Sequence, residues 1–172
     1  MPKATLRLAV LGFALTVGGT PLPGLAQSVQ LLGDFSNWSA YTTSSSADRL
    51  CFIMSKPVAV TPQIEGLTQP YFYVSHRPGE AIRYEVNLVA GFAFAPDTPA
   101  TAQIGGQLFQ MFTEADAAWL ENVAQSADIA SAIRAGSQMV VEATSERGIR
   151  VTQTFSLSGA TASMRAIDAA CG

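Results

Sequence analysis

The chain has 172 residues, of which 48% are hydrophobic and 13% charged, and its formal net charge is −3. This length suits a single domain, and the apolar fraction excludes a disordered chain. Ten Lys and Arg residues against thirteen Asp and Glu, without a basic cluster, argue against nucleic-acid binding. Two cysteines and one histidine are too few for a cysteine-rich metal site, so we assign no metal ligand and no cofactor.

Residues 1–26 have the layout of a secretory signal. Lys3 and Arg7 precede a short apolar stretch, and Gly24 and Ala26 are the small residues before a cleavage site at Gln27. The apolar stretch is too short to cross a membrane as a helix, which needs about twenty residues. The sequence therefore predicts a cleaved leader, no transmembrane span and an exported domain over 27–172, located in the periplasm or outer envelope. The alternative, a buried N-terminal core helix, is disfavoured by the Pro and Gly residues that follow the stretch.

The two cysteines lie near opposite ends of this domain. Cys51 is inside an apolar run, and Cys171 is the penultimate residue. Two cysteines in an oxidising compartment usually pair, so we predict a disulfide that pins the C-terminal segment onto an early strand. The competing interpretation is a reactive thiol, but no second cysteine stands at CxxC spacing and the single histidine is distant in sequence.

Strand signals dominate the first half of the domain. Aromatic residues mixed with Ser and Thr favour an extended segment, and Pro57 and Pro62 mark a loop or edge region. Strict alternation of apolar and polar residues predicts a half-buried strand over 83–89. The Pro78-Gly79 pair predicts a turn before that strand. The predicted extended segments are 35–44, 50–55, 71–75 and 83–89, with 91–94 continuing or pairing with the last.

The second half combines hairpins with helices. Gly105-Gly106 between two apolar segments predicts a hairpin rather than a phosphate-binding loop. Thr113 with Asp116 resembles a capping box, which predicts a short helical turn through Trp119 and Leu120 with Glu114 and Asp116 as its first-turn acids. The remaining predicted elements are a helix over 127–135 ending at Gly136, a hairpin of 139–141 with 149–157, and a helix over 159–170 capped by Ser158 that buries Ala160, Met164, Ile167 and Cys171 on one face.

About eight strands, few helices and a closing disulfide define the predicted fold. Turn signals at short intervals are typical of a β-sandwich. We therefore expect a mainly β, antiparallel sandwich with one or two short helices and a C-terminal helix held by the Cys51–Cys171 bridge. No internal repeat or second domain is visible.

Few residues suggest chemistry. His76 is the one residue of the type that usually acts as a general base at neutral pH. It stands at a predicted strand end, where a surface or strand-edge histidine is expected. No GxSxG motif occurs, and we assign no catalytic residue. Trp38 and Trp119 are expected in the core rather than as ligand-stacking residues. Arg147, at a predicted hairpin tip beside Gly148, is the best exposed candidate for contact with a partner.

A series of short blocks is spread over residues 33–172, which is nearly all of the predicted mature chain. The blocks are 34–38 (DFSNW), 51–55 (CFIMS), 73–78 (YVSHRP), 85–86 (EV), 91–94 (GFAF), 104–109 (IGGQLF), 118–120 (AWL), 139–141 (MVV), 145–148 (SERG), 154–159 (TFSLSG) and 169–171 (AAC). Each block is weak alone, whereas the series in this order is specific. The series resembles the invasion-associated locus B family, which comprises small exported proteins of alphaproteobacteria. This sequence departs from the family pattern at Gln153, where an Asp is common, and at Ala143.

The resemblance implies an immunoglobulin-like β-sandwich in the periplasm or outer envelope with its two cysteines bridged. The family is named after a member linked to host-cell invasion, and it supplies no catalytic residues to carry over.

Three functional hypotheses follow from the sequence. The leading one is a non-enzymatic envelope module that binds an envelope or cell-surface protein or glycan through exposed loops. The second is a periplasmic hydrolase that uses His76 or acidic residues. The third is a small-ligand carrier with a pocket between the sheets, lined by Phe92, Phe94, Phe109 and Phe112.

Overall fold

The computed structural model describes residues 28–43 and 49–172. The predicted leader and its cleavage before Gln27 lie outside the described residues. Within them, the chain forms eleven strands, two α-helices and two single-turn 3-10 helices. The strands are β1 (Val29–Phe35), β2 (Trp38–Thr43), β3 (Cys51–Ser55), β4 (Ala59–Thr61), β5 (Tyr71–Arg77), β6 (Ile82–Val89), β7 (Ala100–Ile104), β8 (Gln107–Glu114), β9 (Ala117–Leu120), β10 (Gln138–Thr144) and β11 (Arg150–Ser156), and the helices are α1 (Ser126–Ala135) and α2 (Ala160–Cys171).

All pairings are antiparallel, and they run in one continuous order, β1-β2-β3-β5-β6-β9-β8-β7-β10-β11-β4. The sheet folds back on itself: Phe72 of β5 packs against Phe155 of β11, with ring centroids 5.7 Å apart, although five strands lie between β5 and β11 in the order. Trp38 Nε1 also donates to the Ser156 carbonyl at 2.9 Å. The resulting fold is β-sandwich-like, as predicted, but with more strands than the expected eight.

The predicted disulfide joins Cys51 and Cys171. It fixes α2 against β3 on the inner face of the sheet. The predicted stripe of α2 is buried, namely Ala160, Met164, Ile167 and Cys171. None of the helices in the described part of the chain is long and apolar enough to span a membrane.

The start of α2 differs from the prediction. Its N-cap is Gly159 at φ 93°, and the Ser158 hydroxyl contacts Ser36 Oγ at 3.0 Å instead of capping the helix. A Cβ on residue 159 would overlap the carbonyl oxygen of Phe35. Because β1 approaches this turn so closely, only glycine fits there.

Both predicted hairpins are present. Gly105 and Gly106 have φ of 54° and 85°, the positive values that a tight two-residue turn requires. β10 pairs with β11 over seven residue pairs, with residues 145–149 connecting them. The 59–61 segment between Pro57 and Pro62 is an edge strand, in line with the prediction for this region.

The helical turn predicted at 113–120 is wrong. β8 continues to Glu114, the chain turns with Ala115 at φ 53°, and β9 follows. Four residue pairs with β8 and three with β6 hold β9 in the sheet, and they outweigh the local capping signal. The Thr113 hydroxyl donates to the Thr98 carbonyl at 2.8 Å, so it caps no helix.

The segment predicted as one extended run over 35–44 contains a turn. β1 and β2 form a hairpin at Ser36-Asn37, where Ser36 has φ 58°. The 91–94 segment is a loop, from which Phe94 makes an isolated bridge to Ser145.

Candidate functional site

His76 is fully buried, so the prediction of a surface or strand-edge position is wrong. It lies on the interior strand β5, directly opposite Cys51 of β3. Its Nε2 is 3.0 Å from Asp168 Oδ1 on α2, and its Nδ1 accepts the backbone N–H of Tyr84 at 3.2 Å. Since Nδ1 accepts a hydrogen bond, the proton of the neutral ring is on Nε2 and is donated to Asp168.

A β-bulge supplies the second of these hydrogen bonds. Ser75 pairs with Glu85 and Arg77 pairs with Ile82, so two residues of β6, Arg83 and Tyr84, stand opposite His76. Tyr84 has φ 55°, which turns its N–H out of the regular ladder. The imidazole accepts this N–H, and the rings of the two residues make an edge contact at 4.6 Å.

Asp168 is the centre of this cluster. Its Oδ1 also accepts from Tyr84 Oη at 2.9 Å, and its Oδ2 from Arg134 at 3.1 Å. Arg83 contributes a second charged contact, to Oδ1 at 3.3 Å. Arg134 additionally lies 4.8 Å from the Tyr84 ring, so α1, α2, β5 and β6 all meet at one carboxylate.

The electrostatics follow from this geometry. Burial lowers the pKa of His76, and the nearby Arg83 and Arg134 add to that effect, whereas the hydrogen bond to Asp168 opposes it. Burial alone would raise the pKa of Asp168, but hydrogen bonds from Tyr84 and His76 and the charge of Arg134 outweigh it and lower this pKa. The cluster therefore contains an ionised Asp168 and a neutral His76 at neutral pH.

The arrangement does not suit general-base chemistry. Both ring nitrogens of His76 are engaged, and the ring has no exposed surface, so neither nitrogen is available to a substrate proton. Asp168 and Cys171 are one helical turn apart on α2, and their partners His76 and Cys51 face each other across two strands. We call these two contacts, Cys51–Cys171 and His76–Asp168, the α2 clasp. Its evident role is to hold α2 on the sheet.

The four phenylalanines proposed to line an internal pocket do not converge. Phe109 is buried, whereas Phe112, three positions along β8, is on the outer face and 47% exposed. Phe92 and Phe94 pack against each other at 5.4 Å in the loop before β7. A single cavity between the sheet faces therefore cannot be lined by all four.

Arg147 is exposed at the turn between β10 and β11, as predicted. It is 3.5 Å from Glu65, and the two residues line a cavity of about 180 Å³.

Trp38 is buried in the core, as expected, but Trp119 is only half-buried.

The outer surface around Trp119 is rich in aromatic side chains. Trp119 stacks on Phe112 at 5.5 Å, and on the other side of the same face Tyr41 stacks on Phe52 at 5.1 Å. Tyr73 is 6.2 Å from Phe52. In the ladder, Asn87 of β6 is opposite both Tyr73 and Trp119. We call these six residues, Tyr41, Phe52, Tyr73, Asn87, Trp119 and Phe112, the outer aromatic row.

Two neighbouring cavities follow the row. One of about 380 Å³ lies over β5 and β6 and includes Tyr73, Asn87 and Trp119. The other, of about 240 Å³, lies where β6 and β9 diverge, because these strands pair over only three residues. Glu85 and Trp119 line both cavities.

The outer surface of three other strands is different. The outward residues of β7, β10 and β11 are polar, Val140 apart. Aromatic residues with Met and Arg are enriched at the centres of protein interfaces. The row is thus the surface whose composition best fits a binding site.

In the part of the chain that the structure describes, no group of three His, Cys, Asp or Glu residues could hold a metal ion.

Comparison with known proteins shows the family. The profile described as Invasion associated locus B (IalB) protein matches residues 38–168. The chain belongs to the IalB family. No match is found among curated protein sequences.

A solved IalB structure has a similar fold. The crystal structure of invasion associated protein B from Bartonella henselae matches with a TM-score of 0.59 and 13% sequence identity, covering 80% of this chain and 96% of that one. The IalB match includes the outer aromatic row and both His76 and Asp168 of the α2 clasp.

Sequence reasoning missed most of this site. Asp168, Tyr84 and Arg134 join His76 only through the tertiary fold. The alternation of Tyr71 and Tyr73 with buried residues in β5 was the available signal for an aromatic outer face.

Proposed function

We propose that this IalB-family protein is an exported, non-enzymatic binding module of the cell envelope, and that the outer aromatic row contacts its partner. The single observation that carries the proposal is the row itself, a band of half-exposed rings across adjacent strands that no element of the described chain covers. Large exposed apolar patches on soluble proteins mark interaction sites.

Two features support export. Residues 1–26 have the pattern of a cleaved leader. The Cys51–Cys171 disulfide is the kind of cross-link that persists in the periplasm and is rare in the cytosol.

The state of His76 supports a non-enzymatic role. The most plausible general base of the sequence is buried, with both nitrogens engaged within the α2 clasp. The partner we propose is an envelope or cell-surface component, as the sequence suggested, but the contact surface we propose is the row instead of the loop tip at Arg147.

Crosslinking in living cells tests the proposal. A photo-reactive amino acid is placed at Gln110, beside Phe112 on the outer face, and in a matched variant at Thr152, on the polar outer face of β11. We expect reproducible capture of an envelope component from position 110, reduced by Trp119→Ala, and none from position 152. An identical background pattern from both positions would refute the proposal.

Arg147→Ala provides the comparison with the loop tip. If the partner binds through the row alone, this variant captures it as the wild type does, because Arg147 lies in the separate turn beside Glu65. Loss of capture in Arg147→Ala with retention in Trp119→Ala would instead place the contact at the hairpin tip.

A further inference from the structure

The spacing of the outer aromatic row limits what can lie along it. Tyr73 and Trp119 are both opposite Asn87 in the ladder, so they are two strand spacings apart, about 10 Å. A polyproline II helix has three residues per turn and advances about 9 Å per turn. Successive turns of such a helix, running across the strands, would therefore place equivalent side chains beside Tyr73 and beside Trp119.

The unpaired polar groups of the row suit the same ligand. Trp119 Nε1 and Tyr73 Oη have no hydrogen-bond partner among the described residues. Asn87 Nδ2 donates to the Ala118 carbonyl, which leaves its oxygen as one acceptor. A polyproline II chain has no internal hydrogen bonds, and its prolines carry no N–H, so it presents mostly carbonyl acceptors to such donors.

The neighbouring carboxylate is already engaged. Glu85 binds Arg77 at 2.8 Å and Ser75 at 3.4 Å. The free Trp119 N–H and Tyr73 O–H are donors, which suit the carbonyl-rich backbone of a polyproline II peptide. The match between the ring spacing and the pitch of such a helix is what favours a peptide over a sugar chain.

The charge of Glu114 favours a basic residue at one end of the ligand. Glu114 lines the cavity between the diverging β6 and β9, is exposed, and forms no ion pair within the described chain. Its neighbour Glu85 is already paired with Arg77, which also binds Glu80. An Arg or Lys of the ligand would find its complement at Glu114.

From these observations, and on the basis of the proposed function, we infer that the outer aromatic row binds a proline-rich peptide segment in the polyproline II conformation, with a basic residue at the Glu114 end. Aromatic-lined grooves are a recurring site for such segments, because the preformed ligand loses little conformational entropy on binding. Phe52 with Tyr73 forms one platform, and Trp119 with Phe112 forms the other.

Three labelled peptides test the inference on the oxidised, leader-free protein. The first has about nine residues, enough for three turns, with prolines at two of every three positions and one terminal Arg. The second replaces the prolines with Ala, and the third replaces the Arg with Glu. Fluorescence anisotropy is expected to show saturable binding of the first, at least tenfold weaker binding of the second, and weaker binding of the third by an amount that shrinks with added salt.

Protein variants locate the site. Trp119→Phe keeps a ring against Phe112 but removes the N–H, and we expect binding weakened by about three- to tenfold, the range for one hydrogen bond. Glu114→Gln should abolish the preference for Arg over Glu in the peptide. Phe92→Leu, a half-buried aromatic in the loop before β7, is the matched control and should leave affinity unchanged.

Clear results would overturn the inference. Absence of saturable binding at millimolar peptide, or equal binding of the proline and Ala peptides, excludes polyproline II recognition. Neutral oligosaccharides are tested in parallel by NMR, and perturbation of the Trp119 indole signal by a sugar but not by the peptides would overturn the peptide class while leaving the binding module intact. Failure of the in-cell crosslinking at position 110, by contrast, would refute the module itself.

Discussion

His76 makes two hydrogen bonds of opposite sense, and only the neutral ring can make both. Nδ1 accepts from the Tyr84 N–H, and Nε2 donates to Asp168. Protonation would place a hydrogen on Nδ1, facing another N–H donor. The burial that lowers the pKa of His76 and the geometry of its partners therefore act in the same direction.

This predicts a fall in stability in mild acid. Because the pKa of His76 is lower in the folded chain than its usual 6.5, the unfolded chain binds more protons as the pH falls below that value. The free energy of unfolding should thus decrease from about pH 6.5 downward and level off below the folded-state pKa. The lowered pKa of Asp168 adds a separate loss only below 3.8. Urea unfolding across this range measures the slope.

His76→Gln is the control for this prediction. The amide retains a donor toward Asp168 but cannot titrate, and the chain has one histidine, so the slope between pH 6.5 and 5 should flatten. The variant should also be less stable at pH 8, because it loses the ring contact with Tyr84. An unchanged slope in His76→Gln would assign the acid sensitivity to other groups.

At the scale of elements, local signals predicted what local forces determine. Gly105-Gly106 specifies a turn with positive φ, and the apolar stripe of α2 specifies its buried face. The 113–116 segment has an equally local capping signal, but pairing of β9 with both β8 and β6 overrides it. The β1–β2 turn went unrecognised because Ser36 takes a positive φ without a Gly or Pro to mark it.

The site was less predictable than the fold. His76 and Asp168 are 92 residues apart, and their contact depends on where the disulfide and the apolar stripe place α2. The outer aromatic row depends on strand order, since β6 pairs with β9 rather than with the next strand along the chain. A period-two pattern shows which residues share a face of one strand, but it does not show which strands are neighbours.

Removal of the disulfide should loosen α2 selectively. The bridge closes a loop with a sequence separation of 120 residues, which in the chain-entropy model corresponds to about 5 kcal/mol. We expect the double variant Cys51→Ala, Cys171→Ala to lose stability of this order. Its α2 amides should exchange hydrogen sooner than those of β10 and β11, because only the His76–Asp168 contact of the α2 clasp then holds the helix on the sheet.

Asp168→Asn in the oxidised protein provides the complementary test. It weakens the other contact of the α2 clasp while the covalent bridge stays, so protection of α2 should fall less than in the cysteine variant. Uniform loss of protection across α2, β10 and β11 in the cysteine variant would show that α2 does not open as a separate unit.

At the scale of the whole molecule, the inner and outer faces of the sheet differ in composition and in role. The inner face, α1 and α2 form the core that the disulfide closes. The outer face is aromatic over β2, β3, β5, β9 and β8 and polar over β7, β10 and β11. The rings of the outer aromatic row stack on one another at the surface and are not part of this core. Substitutions in the row should therefore affect binding more than folding.

The predicted export is testable on the whole chain. β1 begins at Val29, so cleavage before Gln27 leaves the first strand intact, whereas cleavage a few residues later would remove part of its pairing with β2. Intact mass spectrometry of the protein from the periplasm or outer envelope should give the mass of residues 27–172 less two hydrogens for the disulfide. Reduction should restore those two hydrogens. A mass that still includes residues 1–26, or two thiols reactive before reduction, would contradict processing and oxidation outside the cytoplasm.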